Sequence, residues 1–167
     1  MKKLSVLFAA IVMFVSVGMA KAQKIATLDL VSILNAMPEK KKADTDLKAF
    51  LDVKEAEIKK KTDAMQAKYK LYTEEAPKKT EAENKSRGDE MQKLQAEAQQ
   101  MSERAQKDLA EKEKVAYAPI EKKVMEAVGK VAKANSYDYV MDVNSTGLIY
   151  KGGPDATAAV KKELNLQ

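Results

Sequence analysis

Residues 76–83 read Ala76-Pro77-Lys78-Lys79-Thr80-Glu81-Ala82-Glu83 and separate two long helical patterns. Pro77 interrupts the first pattern, and Thr80-x-x-Glu83 is a capping-box signature that opens a second helix. N-terminal to this break, the chain from Glu39 has no Pro until Pro77 and no Gly until Gly88. Lys, Glu, Ala, Gln and Leu dominate there, all strong helix formers. Leu51, Ile58, Met65 and Tyr72 recur every seven residues, with Lys54, Lys61 and Lys68 as the companion column. Beyond the break, Met91, Leu94, Ala98, Met101 and Ala105 follow the alternating 3-4 spacing of a and d positions. The pattern degrades at Asp108 and Lys112 and resumes at Val115. Folding the chain at about Lys78 sets Leu51 against Ala105, Ile58 against Ala98 and Met65 against Met91. Ser86-Arg87-Gly88-Asp89 is a second place where the chain can turn, so the tip is placed at about 77–88.

Each limb is too long for a compact bundle. A helix over 39–76 spans roughly 57 Å at ~1.5 Å per residue, whereas a compact chain of about 145 residues has a diameter near 38 Å. The hairpin, 39–118, is therefore expected to protrude, with a thin seam that loosens toward the tip.

The two chain ends read differently. Lys24-Ile25-Ala26-Thr27-Leu28-Asp29 has strand composition, with Asp29 as N-cap of a short helix carrying Leu30, Ile33, Leu34 and Met37 on one face. After Pro119, the stripe Ile120, Val124, Ala127, Val128 and Val131 marks a helix packed on a core. Strands are expected at about 137–143, containing Val140 and Val143, and at 147–151, containing Leu148 and Ile149. Asp155-Ala156-Thr157 then opens a short closing helix. The class is α+β: a small β-containing body, 23–38 with 119–167, from which a coiled-coil-like hairpin departs. The expected body core is Ile25, Leu28, Val124, Val128, Val140, Val143, Leu148 and Ile149. So small a core calls for a staple or for oligomerisation.

The chain has 167 residues and a formal charge of +5, with no His, no Cys and no Trp. Disulfides, thiolate or imidazole metal sites and His- or Cys-based catalysis are thereby excluded. Part of the charge belongs to the N-terminus. Lys2 and Lys3, the apolar run from Leu4 to Ala20 and Ala20-Lys21-Ala22 form the n-region, h-region and A-x-A site of a signal peptide over 1–22, cleaved after Ala22. The remaining chain carries 27 basic against 25 acidic residues, a net +2. With few aromatics to stack on bases, that balance gives no support to nucleic-acid binding. No phosphate-binding loop, metal-ligand spacing or catalytic constellation occurs, so no cofactor, metal or catalytic residue is assigned. Along the hairpin, Met65, Tyr69, Leu71, Tyr72, Met91, Leu94 and Met101 supply adaptable apolar side chains suited to promiscuous contact or to seam packing.

The end segments resemble the Skp/OmpH family of periplasmic chaperones. The likeness rests on Lys24–Asp29, Ile33-Leu34-Asn35 and Pro38-Glu39. It continues in Pro119-Ile120-Glu121-Lys122-Lys123-Val124, Tyr137–Asp142, Gly147-Leu148-Ile149-Tyr150 and Asp155-x-Thr157. The resemblance implies a homotrimer whose strands build a barrel-like body and whose three hairpins surround a cavity. That cavity would hold unfolded outer-membrane proteins without ATP, with transient contact to the membrane or the outer-membrane assembly machinery. The hairpin departs from the family's markedly basic character: 39–70 carries ten Lys against seven acids, and 78–90 is balanced. No lipopolysaccharide site is carried over. A structural coiled-coil spacer or adaptor of the envelope is the competing expectation. It would need a fuller heptad seam than the Lys54/Lys61/Lys68 column provides.

Overall fold

A computed structural model describes residues 22–166; the expected signal peptide lies outside the described residues except for Ala22. The elements are β1 (Ile25–Leu28), α1 (Leu30–Ala36), α2 (Pro38–Glu75), a 3-10 turn (Ala76–Lys78), α3 (Glu81–Asn135), β2 (Tyr139–Asp142) and α4 (Thr157–Glu163). The α+β class with a long helical hairpin is as expected. The chain divides into two compact units. One is the chain up to Ile33 together with Glu126 onward; the other is Leu34–Met125.

The first unit is built on β1 and β2, which pair in parallel with Ile25 opposite Tyr139 and Leu28 opposite Asp142. Parallel strands need a crossover, and here the crossover contains both long helices. The strand ends are fixed by short polar side chains. Asp29 Oδ1 accepts from the Ser32 N–H at 2.9 Å and caps α1. Asp142 Oδ1 accepts from the Leu30 N–H, and Asp138 Oδ2 accepts from the Lys24 N–H at 2.8 Å. The core consists of Ala26, Leu28, Ile33, Ala127, Val131, Ala156, Val160 and Leu164, all buried. Ala127 and Val131, like Val160 and Leu164, are four apart and so share a helix face.

The expected strand at 147–151 does not form. The second edge of β1 is occupied by the stretch after Gly153: Thr27 donates to the Pro154 carbonyl at 2.9 Å, and Ala156 donates to the Thr27 carbonyl at 2.7 Å. Residues 148–150 pair with neither β1 nor β2, and Ile149 is fully exposed. Ile25, also expected in the core, is 44% exposed. Val128, Val140, Val143 and Leu148 are half-buried.

In the second unit, α2 and α3 are the two limbs of the hairpin. The reversal is tighter than 77–88. It is complete by Thr80, and residues 86–89 are helical. The capping box is made: the Thr80 N–H donates to Glu83 Oε2 at 2.9 Å and the Glu83 N–H to Thr80 Oγ1 at 3.3 Å. The Asn84 amide closes the turn by donating to the Ala76 carbonyl at 3.0 Å.

The hairpin unit is also wider than 39–118, and Pro119 lies inside α3. A proline in a helix removes one hydrogen bond. Pro119 and Val115 are exposed, so the carbonyl left over can be hydrated and the helix continues. Met37, Ile120 and Val124 are buried in this unit, and the Lys123 ammonium pairs with Glu39. Val124, expected in the body, thus falls in the hairpin unit. Along α2 itself no residue is buried.

Candidate functional site

The surface of the hairpin is the candidate site, and its geometry follows from what the seam lacks. Ala105 is the one residue between the base and the tip that is fully buried among those described. Met65, Met91, Leu94 and Met101 are half-buried, while Tyr69 and Leu71 are 62% and 48% exposed. Met65, Tyr69 and Met91 come together with Gln66, Gln92 and Gln95 around a depression of about 440 Å³. Leu94 and Met101 are not part of it.

Tyr72 is removed from this surface. Its hydroxyl donates to Glu90 Oε2 at 2.5 Å, and the Arg87 guanidinium stacks 4.4 Å from its ring centroid. Arg87 in turn pairs with Glu75 at 2.6 Å. The tyrosine therefore belongs to a polar latch near the turn, and its ring is covered by a cation.

The Lys column is not the defect that the heptad pattern suggests. Lys61 pairs across the seam with Glu97 at 2.6 Å, and Lys68 pairs with Glu90. Both pairs have residue numbers that add to 158, two more than the register expected from the apolar residues alone. Lys54 pairs instead with Glu57 on its own limb at 2.8 Å. The seven-residue spacing of Glu83, Glu90 and Glu97 was the available signal, and it was masked by the abundance of charged residues. The Lys68 ammonium holds the Glu90 carboxyl below its usual range, with help from the Tyr72 hydroxyl. Lys61 does the same for Glu97, and Glu90 raises Lys68.

A second and larger groove, about 730 Å³, lies closer to the base of the hairpin. Its floor is Ala43, Leu47, Phe50, Val115 and Ala116. It occupies the place where the heptad pattern degrades: Asp108 and Lys112 stand where apolar residues would fill the seam. The Phe50 ring is met there by the Lys112 ammonium, 5.0 Å from its centroid. The Asp44 carboxylate, which accepts from the Tyr117 hydroxyl at 2.7 Å, marks the resumption of cross-limb bonding beyond it.

Every carboxylate whose pKa is displaced is displaced downward: Glu39, Asp44, Glu83, Glu90, Glu97 and Asp155. Hydrogen bonds or ammonium partners are the cause in each case, so these groups are kept as anions. Among the described residues no three His, Cys, Asp or Glu side chains are placed to hold a metal ion, and no helix is long and apolar enough to cross a membrane. Asp29, Asp138, Asp142 and Asp155 are engaged in capping and turn hydrogen bonds.

The sequence matches the family described as outer membrane protein (OmpH-like) over residues 24–164. No curated protein matches it. Among solved structures it is similar to a proposed OmpH-like outer membrane chaperone from Caulobacter crescentus CB15. The TM-score is 0.69 at 15% identity, over 86% of this chain and 85% of that one. At that identity the likeness is one of fold.

Proposed function

The chain belongs to the OmpH-like family of outer membrane proteins, and from that membership we propose that it is an ATP-independent periplasmic holdase. In this reading it is exported by a signal peptide cleaved after Ala22 and assembles as a homotrimer. It holds unfolded outer-membrane proteins between its hairpins until they reach the membrane or its assembly machinery. The observation that carries the reading is the 38-residue helix α2, which buries none of its residues. A helix of that length is ordinarily kept by an apolar face packed on a core. Here exposed Tyr69 and Leu71 and half-buried Met65 are left available to another chain. Many such contacts, each weak, add up inside one assembly through effective concentration.

The trimer is supported by the body. A two-stranded sheet is marginal by itself, and Ile25, Tyr139, Met141, Ile149 and Tyr150 are exposed there. Large apolar side chains gathered on one small unit mark an association surface. The test is aggregation of an outer-membrane β-barrel diluted from urea, followed by light scattering. Stoichiometric trimer is expected to suppress the scattering. Unchanged scattering would leave a structural spacer or adaptor of the envelope as the better reading.

A further inference from the structure

We propose that the groove around Phe50 and Val115 is a docking site for a short unfolded segment with adjacent bulky apolar side chains and a flanking Lys or Arg. The proposal rests on the holdase reading and gives it a specific place on the hairpin.

The groove lies where the 3-4 apolar spacing of Met91, Leu94, Ala98, Met101 and Ala105 gives way to charged residues. Asp108 and Lys112 then take the positions that would otherwise fill the seam. After the Lys61–Glu97 pair, the next hydrogen bond between the limbs is the one from the Tyr117 hydroxyl to Asp44. Between these points Ala105 is buried, and the Phe50 ring is flanked by the Lys54 and Lys112 ammoniums, 5.8 and 5.0 Å from its centroid. Val115 is 69% exposed, and Phe50, the only Phe beyond the leader, is half-buried. A volume of about 730 Å³ is within the ~300–1,000 Å³ range that accepts a small ligand, enough for two or three bulky side chains.

Charge selects the occupant. With Glu39 already paired to Lys123, the rim carries the carboxylates Asp46, Asp108 and Glu111 against the ammoniums Lys42 and Lys112, a net −1. Lys112 is engaged with the Phe50 ring, its Nζ 5.0 Å from the centroid. A basic residue beside the apolar segment is attracted to this rim, and an acidic one is repelled. This acidic rim stands on a hairpin whose limb from 39 to 70 is net positive, so it is a local feature and not the general charge of the surface.

The chain has no Trp, so Val115→Trp places a single indole at the groove, at a position exposed enough to spare the fold. Two peptides of Val, Leu and Phe are titrated, identical except for Lys or Glu flanks. The expected result is a saturable blue shift with the Lys-flanked peptide and about tenfold weaker binding of the Glu-flanked one. Asp108→Lys with Glu111→Lys should reverse that preference. Equal binding of both peptides, or a preference unaltered by the double reversal, overturns the proposal. An indole already blue-shifted without peptide, and released by dilution, also overturns it, because a second copy of the chain would then fill the groove. Light scattering on the unsubstituted chain separates the two readings. Suppressed aggregation with no peptide preference refutes the groove alone. Peptide binding with no suppression refutes the holdase and leaves the groove standing.

Discussion

Truncating Ile33 should damage the protein far more than truncating Leu51, although each change deletes three carbons. Ile33 is 0% exposed, in the core shared by β1, α1 and α4, whereas Leu51 is 36% exposed on α2. For Ile33→Ala, three carbons at about 0.8 kcal/mol each amount to about 2.4 kcal/mol. The incompletely relaxed cavity adds about 1 kcal/mol or more, giving a total near 3–4 kcal/mol. For Leu51→Ala, about a third of the side chain is already in water and no closed cavity forms, so the loss is about 1.5 kcal/mol. The readout is the thermal midpoint by circular dichroism at 222 nm, on the chain from Gln23 at one fixed concentration, because association contributes by mass action. At ~2–4 °C per kcal/mol for a chain of this size, Ile33→Ala should lower the midpoint by about 6–16 °C and Leu51→Ala by about 3–6 °C. Ile33→Val should lie between wild type and Ile33→Ala, with a loss of about 0.5–1.5 kcal/mol. Equal effects of Ile33→Ala and Leu51→Ala would refute the claim that stability resides in the small body core and not along the seam.

Glu83 is held at about 2 by hydrogen bonds from Thr80 and from Lys79. Because the folded value lies below the usual 4.5, the cap is fully in place above about 4.5 and is lost only as the pH falls through about 2. A carboxyl titration by NMR should show this, and Thr80→Ala should return Glu83 toward its ordinary value. Lys68→Glu sets two carboxylates face to face at the seam and should speed amide exchange near the turn. Adding Glu90→Lys should slow it again, whereas two additive losses would mean that the pair does not couple the limbs. Pro119→Ala restores the missing helix hydrogen bond and should stabilise the hairpin, by up to ~3 kcal/mol on the helix-propensity scale. A lowered midpoint would mean that the proline's local geometry is required.

The hairpin was legible because its signals are local. Heptad recurrence, the absence of Gly and Pro, and the Thr80/Glu83 box each act within one or two turns, and no distant residue can override them. β1 and β2 were legible for a similar reason, since Ile25–Leu28 and Tyr139–Asp142 carry strand composition and short caps. The stretch Leu148-Ile149-Tyr150 misled because strand composition does not say whether a segment pairs; the second edge of β1 goes to Pro154 and Ala156 instead. Pro119 gave an equivocal signal, since one lost hydrogen bond is small against a helix of 55 residues. Of the hairpin's apolar residues, Met65, Tyr69 and Met91 do gather at one place, but Tyr72 does not join them. Its partners Glu90 and Arg87 become visible only once the register is known. The Phe50 groove was hidden for the same reason: a break in the heptads looks like noise until the facing limb is seen to set an ammonium, Lys112, over the ring.

The central claim is that three chains together hold one unfolded client. Sedimentation of the chain from Gln23, alone and with an outer-membrane β-barrel diluted from urea, tests it most directly. The expected species are a trimer alone and, with client, a soluble complex of three chains and one barrel protein. A monomer that stays a monomer while the client pellets by itself would contradict the account.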